Sequence, residues 1–220
     1  MSDETNGVAT PELTSLMESL EAEAAQDRPA EETPEIGIVM GSDSDLDVMM
    51  GSETGRPGAY DALTTLDFAE QTDHESPPDE RFTFETYVVS AHRTPELMYT
   101  YAETAADRGI DVIIAGAGGK SADLPNMVAS IAYPIPVIGV PVQEKSLQSV
   151  IGMPQGAPLV AVDAGKSFNA ALSAVQMLSL EHDELRERLV EYHENLKDDV
   201  AVASKRLHSL GTPGFKAQRE

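Results

Sequence analysis

Cysteine and tryptophan are absent from this chain of 220 residues, and lysine and arginine are scarce. The absence of Cys excludes disulfides and thiol catalysis, and five scattered His residues without Cys argue against a structural zinc site. Only 15 Lys and Arg stand against 38 Asp and Glu, so the basic face that nucleic-acid binding needs is not expected. No apolar run approaches the length of a membrane span, and residues 1–4 lack the basic and apolar parts of a signal peptide. These absences predict a cytoplasmic protein that binds neither nucleic acid nor membrane.

The net charge of −23 is extreme for a chain of this length and has two interpretations. One is an acidic interaction tail. The other is a surface adapted to a cytoplasm with molar salt, where charges are screened within about 3 Å. Acidic residues occur in every third of the chain, which favours the salt-adapted surface.

Short β-branched runs alternate with amphipathic segments between residues 35 and 180. The runs predict five strands, at residues 35–40, 87–90, 111–116, 136–141 and 159–162. Apolar residues at helical spacing separate them, for example between Pro95 and Arg108. This alternation predicts an α/β catalytic domain whose parallel sheet lies between two helical layers.

Three segments lie outside this pattern. Residues 1–34 are acidic, and although residues 11–26 have the apolar spacing of a short amphipathic helix, we expect a disordered or loosely docked N-terminal extension. Residues 51–86 are acidic and interrupted by Gly and Pro, which predicts a surface insertion with a helix near residues 60–68. Within residues 181–220, an apolar stripe at helical spacing runs from Glu181 to about Leu207. The stripe predicts a long C-terminal helix that packs on another subunit or, alternatively, on its own sheet.

Polar turns follow the first three predicted strands. They contain Gly41-Ser42-Asp43-Ser44-Asp45, Ser90-Ala91-His92-Arg93-Thr94-Pro95 and Gly118-Gly119-Lys120-Ser121-Ala122-Asp123. Because the carboxyl ends of parallel strands meet at one edge of a sheet, these turns should converge on one ligand crevice.

The second of these turns carries the clearest chemistry. Arg93 and a helix N-terminus at Pro95 suit a phosphate. The imidazole of His92 can exchange protons near neutral pH. The alternative interpretation is that His92 only caps the helix.

Four further blocks follow the first two turns in order along the chain, and the first of them leads into the third turn. They are Ala115-Gly116-Ala117-Gly118-Gly119, Gly139-Val140-Pro141-Val142, Met153-Pro154-x-Gly156-x-Pro158 and Asn169-Ala170-Ala171-Leu172. From residue 36 to about residue 195, the chain resembles the N5-carboxyaminoimidazole ribonucleotide mutase family of purine biosynthesis.

The resemblance implies a flavodoxin-like three-layer αβα fold with a five-stranded sheet, a homo-octamer, and no metal or organic cofactor. It implies that a carboxylate moves from N5 to C4 of aminoimidazole ribonucleotide. It also assigns roles: His92 as general acid and base, the turn at Gly118 and Gly119 as holder of the migrating carboxylate, and five substrate-binding residues, Ser42, Ser44, Asp45, Ser90 and Arg93.

The glycine turn departs from the family pattern, which continues Gly-Gly-Ala-Ala-His-Leu-Pro-Gly. Here the turn from Gly118 to Asn126 is one residue longer and lacks that His, so Asp123 or Lys120 stands in its place. A related class of the family carboxylates aminoimidazole ribonucleotide directly with CO2, and the sequence leaves this alternative open.

Two other classes of function compete with an enzyme of this family. A flavin- or nucleotide-binding module would share the fold, but it would want an aromatic residue in the turns, and these turns contain no Trp, Tyr or Phe. A non-catalytic scaffold that only oligomerises would leave the turn from Ser90 to Arg93 unexplained.

Overall fold

A parallel sheet of six strands forms the centre of the protein, whose computed structural model describes residues 9–52 and 55–218. The strands run in the order β2-β3-β1-β4-β5-β6. Every neighbouring pair is parallel. Their bounds are β1 (Ile36–Met40), β2 (Ala69–Glu70), β3 (Thr83–Val88), β4 (Val112–Ala117), β5 (Val137–Pro141) and β6 (Val160–Ala161). The sheet therefore has one strand more than the sequence predicted, the two-residue β2 at an edge.

Helices cover both faces of this sheet. They are α1 (Pro11–Ala24), α2 (Leu46–Met49), α3 (Ala59–Thr65), α4 (Pro95–Thr104), α5 (Leu124–Ile131), α6 (Leu147–Val150), α7 (Ser167–Leu178) and α8 (Asp183–Ala217). One buried apolar cluster joins the sheet to α3, α7 and the start of α8, and a second joins it to α1, α4 and α5. Because both faces are covered, β1 and β4 are buried along their whole length and can be apolar throughout. The predicted three-layer α/β architecture is confirmed.

The segment 51–86 differs from the expected surface insertion over much of its length. The second long strand begins at Thr83 rather than Tyr87, and both Phe84 in this strand and Phe82 just before it are buried in the core. Helix α3, close to the predicted position, packs against α7. The acidic composition of the segment predicted exposure, but the carboxylate of Glu85 in this strand accepts hydrogen bonds of 2.6 and 2.7 Å from Arg108. The paired charges allow a polar-looking strand to lie inside the sheet.

The N-terminal extension also differs from the prediction, because its described part is folded. Helix α1 begins after Thr10, whose hydroxyl accepts a hydrogen bond from the Leu13 N–H. It packs against α4, and Leu20 is completely buried. The predicted disorder is therefore wrong from Pro11 onwards, while residues 1–8 lie outside the described residues.

The C-terminal helix α8 extends well past the predicted end near Leu207. It runs to Ala217 with a break at Gly211, whose φ of 66° and ψ of 166° are not helical. Leu185 is buried, and Leu189 and Tyr192 pack partly on the domain's own core. From His193 to Pro213 every residue is exposed. Over the described ranges, no helix is both long and apolar enough to cross a membrane.

Candidate active site

A cavity of about 470 Å³ opens at the carboxyl ends of β1, β3 and β4. After β1 the chain forms β2 and β3 on one side of β1 and then crosses to β4 on the other side. The cavity therefore lies where the strand order reverses. Ligands of doubly wound sheets bind at this point. All eight site residues predicted from the sequence line the cavity: Ser42, Ser44, Asp45, Ser90, His92, Arg93, Gly118 and Gly119.

The turn after β1 presents two hydroxyls side by side. Ser44 donates through its hydroxyl to Ser42 Oγ at 3.1 Å, and the Ser44 N–H contacts the same oxygen at 3.3 Å. Ser42 lies in extended backbone and starts a short 3₁₀ helix that leads into α2. Small residues in this turn allow backbone N–H groups and hydroxyls to face an anion together.

Asp45 is the buried carboxyl group of the site, with 6% of its surface exposed. Burial raises the pKa of Asp45 above its ordinary value because water no longer stabilises the charged form. Hydrogen bonds from the backbone of Ser42 and Gly118 and the positive charge of Arg93 oppose this rise. Asp45 therefore combines an unfavourable environment with a position in the cavity, which is a frequent property of functional carboxylates.

The turn after β3 is held by backbone and hydroxyl groups. The Ser90 N–H donates to Thr94 Oγ1 at 2.9 Å, and the Thr94 N–H returns a bond of 3.0 Å to the Ser90 carbonyl. Pro95 occupies the first turn of α4, as predicted. These bonds fix the three residues between Ser90 and Thr94, which are Ala91, His92 and Arg93, at the cavity.

Arg93 connects this turn to the turn after β1. Its Nη2 donates to the Gly41 carbonyl at 2.9 Å, and its backbone N–H donates to Ser90 Oγ at 3.2 Å. The guanidinium has five N–H donors, so the remaining ones can bind a ligand anion. Arg93 thus positions two turns and still offers a positive charge to the cavity.

His92 faces a carboxylate rather than the N-terminus of α4. Its Nε2 lies 3.1 Å from Asp123 Oδ2. The other oxygen of that carboxylate, Oδ1, accepts a hydrogen bond of 3.0 Å from Ser149 Oγ. Both partners remain open to solvent, with 60% of the His92 side chain and 43% of the Asp123 side chain exposed. An exposed imidazole with a carboxylate partner can accept and return protons.

The glycine turn after β4 leaves space beside Asp45. A Cβ atom on Gly118 would lie 3.0 Å from Asp45 Oδ1, closer than such contacts normally are. Gly119 has a φ of 85°, in the left-handed region that glycine adopts without strain. Both positions therefore need glycine, one for close approach and one for backbone conformation.

A fourth loop, which follows β5, also reaches the cavity. It contributes Gln143 and Lys145, and the glycine turn adds Ser121 and Asp123. Gln143, Lys145 and Ser121 were not among the predicted site residues. The rule that parallel strands end at one edge, applied to Gly139-Val140-Pro141-Val142, would have pointed to this loop. Lys120, the alternative to Asp123 in the altered turn, does not line the cavity.

The cavity therefore combines groups suited to an anionic, hydroxylated ligand with a proton-transfer group. Arg93 and Lys145 are cationic, the serines offer hydroxyls, and Asp45 can accept hydrogen bonds from ligand hydroxyls. Over the described parts of the chain, no three His, Cys, Asp or Glu side chains are grouped as metal ligands would be.

Comparison with known proteins identifies relatives over most of the chain. Over 188 residues the chain is 44% identical to a Mycobacterium tuberculosis protein named N5-carboxyaminoimidazole ribonucleotide mutase, covering 83% of this chain and 95% of that protein. Over 202 residues it is 40% identical to the chloroplastic phosphoribosylaminoimidazole carboxylase of Vigna aconitifolia, covering 89% of this chain and 32% of that longer protein.

A solved structure shares the fold. The crystal structure of Treponema denticola PurE superimposes with a TM-score of 0.61 at 23% identity and covers 79% of this chain and 98% of that chain. The sequence pattern of the AIR carboxylase family matches residues 35–199. Because this match spans the sheet and all four loops that line the cavity, the chain belongs to the AIR carboxylase family.

Proposed function

We propose that the protein is a mutase that converts N5-carboxyaminoimidazole ribonucleotide into 4-carboxy-5-aminoimidazole ribonucleotide. The observation that carries this proposal is that one cavity contains both an arginine, whose donors suit a phosphate, and an imidazole paired with a carboxylate, in a chain similar to named mutases. A nucleotide substrate needs both features, because it must be held by its phosphate while protons move at its base.

The substrate phosphate and ribose bind to the turns after β1 and β3. Arg93 contributes the charge, and the hydroxyls of Ser42, Ser44 and Ser90 contribute hydrogen bonds. The Asp45 carboxylate accepts hydrogen bonds from substrate hydroxyls. These groups need little rearrangement to bind, since Arg93 already connects the two turns.

His92 carries out the proton transfers. As general acid it gives a proton to N5 while the bond between N5 and the carboxylate carbon breaks, which releases CO2 and leaves aminoimidazole ribonucleotide. C4 then attacks the CO2 and forms a new carbon–carbon bond. The C4 proton returns to His92, which restores both the aromatic ring and the protonated imidazole. One group therefore serves as acid and as base, and the proposal assigns no metal or organic cofactor.

The glycine turn holds the CO2 between these two steps. The space beside Gly118 and Gly119 adjoins Asp45 and lies in the same cavity as His92. We assign the backbone N–H groups of this turn to hold the carboxylate before it leaves and after it has been recaptured. Retention of CO2 matters because its loss to solvent would uncouple the two halves of the reaction.

The test of this function is the His92→Asn variant. The Asn side chain keeps hydrogen bonding but cannot shuttle a proton, so kcat should fall by about 10²-fold or more while the nucleotide still binds. Turnover is measured spectrophotometrically, and binding is measured by calorimetry. His208→Asn, which changes an exposed imidazole on α8, is the matched control and should keep full turnover. Near-normal turnover in His92→Asn with intact binding would remove His92 from the mechanism.

Direct carboxylation of aminoimidazole ribonucleotide by CO2 is the second candidate function. The Vigna aconitifolia relative, named a carboxylase, favours it. Purified protein should therefore be assayed with both substrates, N5-carboxyaminoimidazole ribonucleotide and aminoimidazole ribonucleotide with bicarbonate. A much higher kcat/KM for the first substrate is expected of the mutase. The reverse preference would make the protein a carboxylase.

A flavin-binding function has less support. None of the residues that the structure places around the cavity has a Tyr or Phe ring, and the sequence has no Trp. A purified protein that absorbs above about 300 nm would favour a flavin, because protein lacking Trp absorbs little there.

We further propose that the protein works in the cytoplasm as a homo-oligomer, an octamer by family resemblance. The support within this chain is the outer part of α8, where Leu196, Val200 and Leu207 are exposed at helical spacing. An apolar stripe of this length normally packs against another surface.

A further inference from the structure

Asp123 precedes α5, at a position where an aspartate usually caps the helix. Its side chain makes no hydrogen bond to the helix backbone. Its two carboxylate oxygens contact other elements instead, with Oδ2 at 3.1 Å from His92 Nε2 and Oδ1 at 3.0 Å from Ser149 Oγ. Helix capping therefore does not explain the presence of Asp123. Its carboxylate instead contacts His92, which lines the cavity.

The carboxylate is held in place from behind. Ala122, the preceding residue, is completely buried and fixes the turn to the core. Ser149 lies on α6, and the Asn126 side chain donates a hydrogen bond of 2.9 Å to the Ser149 carbonyl. Two elements, α5 and α6, thus fix the Asp123 carboxylate so that one oxygen faces the imidazole.

The pair of His92 and Asp123 adds little to folding stability. More than two fifths of each side chain is exposed, and exposed ion pairs are largely screened by water and salt. An imidazole attached only to a surface turn would otherwise sample several rotamers. The main effect of the contact between His92 and Asp123 is therefore to orient the imidazole ring.

We propose that Asp123, supported by Ser149, is the positioning residue that orients His92 for proton transfer. A neutral imidazole that donates its Nε2–H to Asp123 has its lone pair at Nδ1, so the contact selects one tautomer. When His92 takes the C4 proton, the carboxylate stabilises the resulting cation. A carboxylate behind a catalytic imidazole acts in this way in general acid–base catalysis. This inference rests on the catalytic role proposed for His92.

The test is a double-mutant cycle between Asp123 and His92. Asp123→Asn should lower kcat by about tenfold or more and leave KM nearly unchanged, because a misdirected imidazole still permits substrate binding. In the His92→Asn background the same change should alter kcat by less than about twofold, since Asp123 acts through His92. A residue with a merely structural role would instead change KM and stability along with kcat.

Ser149→Ala supplies an independent measurement. It removes the hydroxyl bond to Asp123 but keeps the backbone contact with Asn126, so a smaller loss of kcat, about twofold to fivefold, is expected with unchanged KM. Asp79→Asn and Ser204→Ala, at exposed positions away from the cavity, are the matched controls and should retain wild-type kcat.

The possible results separate this inference from the proposed function. Normal kcat in Asp123→Asn would overturn the positioning role. Losses that multiply in the double variant would also overturn it, because Asp123 would then act on the substrate independently of His92. Near-normal turnover in His92→Asn would instead overturn the catalytic role of His92, on which this inference depends.

Discussion

Arg93 serves two purposes at once, since it connects two turns of the protein and offers donors to an anion. Its bonds to the Gly41 carbonyl and to Ser90 Oγ fix the plane of the guanidinium. A lysine could supply charge at this position but not the fork of donors. Arg93→Lys should therefore mainly raise KM, and Arg93→Ala should cost about 2–4 kcal/mol in the free energy derived from kcat/KM. Steady-state kinetics test this, and a normal KM in Arg93→Ala would place the phosphate elsewhere.

Asp45 shows how the burial of a carboxylate can oppose stability. Because burial raises the pKa of Asp45 in the folded state, the folded protein binds this proton more tightly than the unfolded chain does. The stability that Asp45 contributes is therefore present below the ordinary carboxyl pKa and is lost as the pH rises through the raised folded-state pKa. Asp45→Asn removes this loss, so at neutral pH the variant should be at least as stable as the wild type while binding the nucleotide more weakly.

Urea denaturation at about pH 4 and about pH 7 measures the effect, since an ordinary Asp titrates near pH 3.9. The stability of Asp45→Asn relative to the wild type should be greater at the higher pH. A variant that loses stability at neutral pH would show that the hydrogen bonds to the ionised carboxylate outweigh its burial.

At the scale of elements, α8 divides into a packed beginning and an exposed remainder. Leu185 is buried in the domain core, whereas Leu196, Val200 and Leu207 form an exposed stripe. If the stripe is an interface between subunits, deletion of residues 194–220 should yield smaller assemblies and keep the domain folded. A deletion that began at residue 181 would also remove Leu185 and would confuse assembly with folding.

Point substitutions test the same stripe without shortening the helix. Leu196→Ser combined with Val200→Ser and Leu207→Ser should reduce the mass measured by sedimentation. Val202→Ser, on the opposite side of the helix, is the matched control and should leave the mass unchanged. An unaltered assembly in both the truncated and the triple variant would exclude the outer part of α8 as the interface.

At the scale of the whole molecule, charge dominates. The net charge of −23 on 220 residues means that the acidic side chains repel one another strongly at low ionic strength. The screening length rises from about 3 Å at 1 M salt to about 10 Å at 0.1 M and about 30 Å at 0.01 M. We therefore expect cooperative structure or assembly to be lost as salt falls from molar concentrations to tens of millimolar. Circular dichroism and sedimentation across this range provide the measurement, and constant signals in both would contradict a salt-adapted surface.

The sequence by itself determined the alternation of helices with five of the six strands and the edge of the sheet at which the cavity lies. Apolar runs such as Ile36–Met40 predict strands because a sheet covered on both faces excludes water from every position. Turns at the carboxyl ends of parallel strands must share one edge, so the convergence of Ser42, His92 and Gly118 followed from local patterns alone.

Only the tertiary structure decided which charged residues lie inside. Glu85 and Arg108 have 22 residues between them in the chain. Each is buried as the partner of the other, so neither residue type predicts burial by itself. The start of β3 and the docking of α1 could not be predicted from the sequence for the same reason, because the acidic composition of both segments suggested exposure. The pairing of His92 with Asp123 also depends on elements that meet only in the folded protein. A contact between distant residues depends on how the elements pack, and local hydrophobic patterns do not encode that packing.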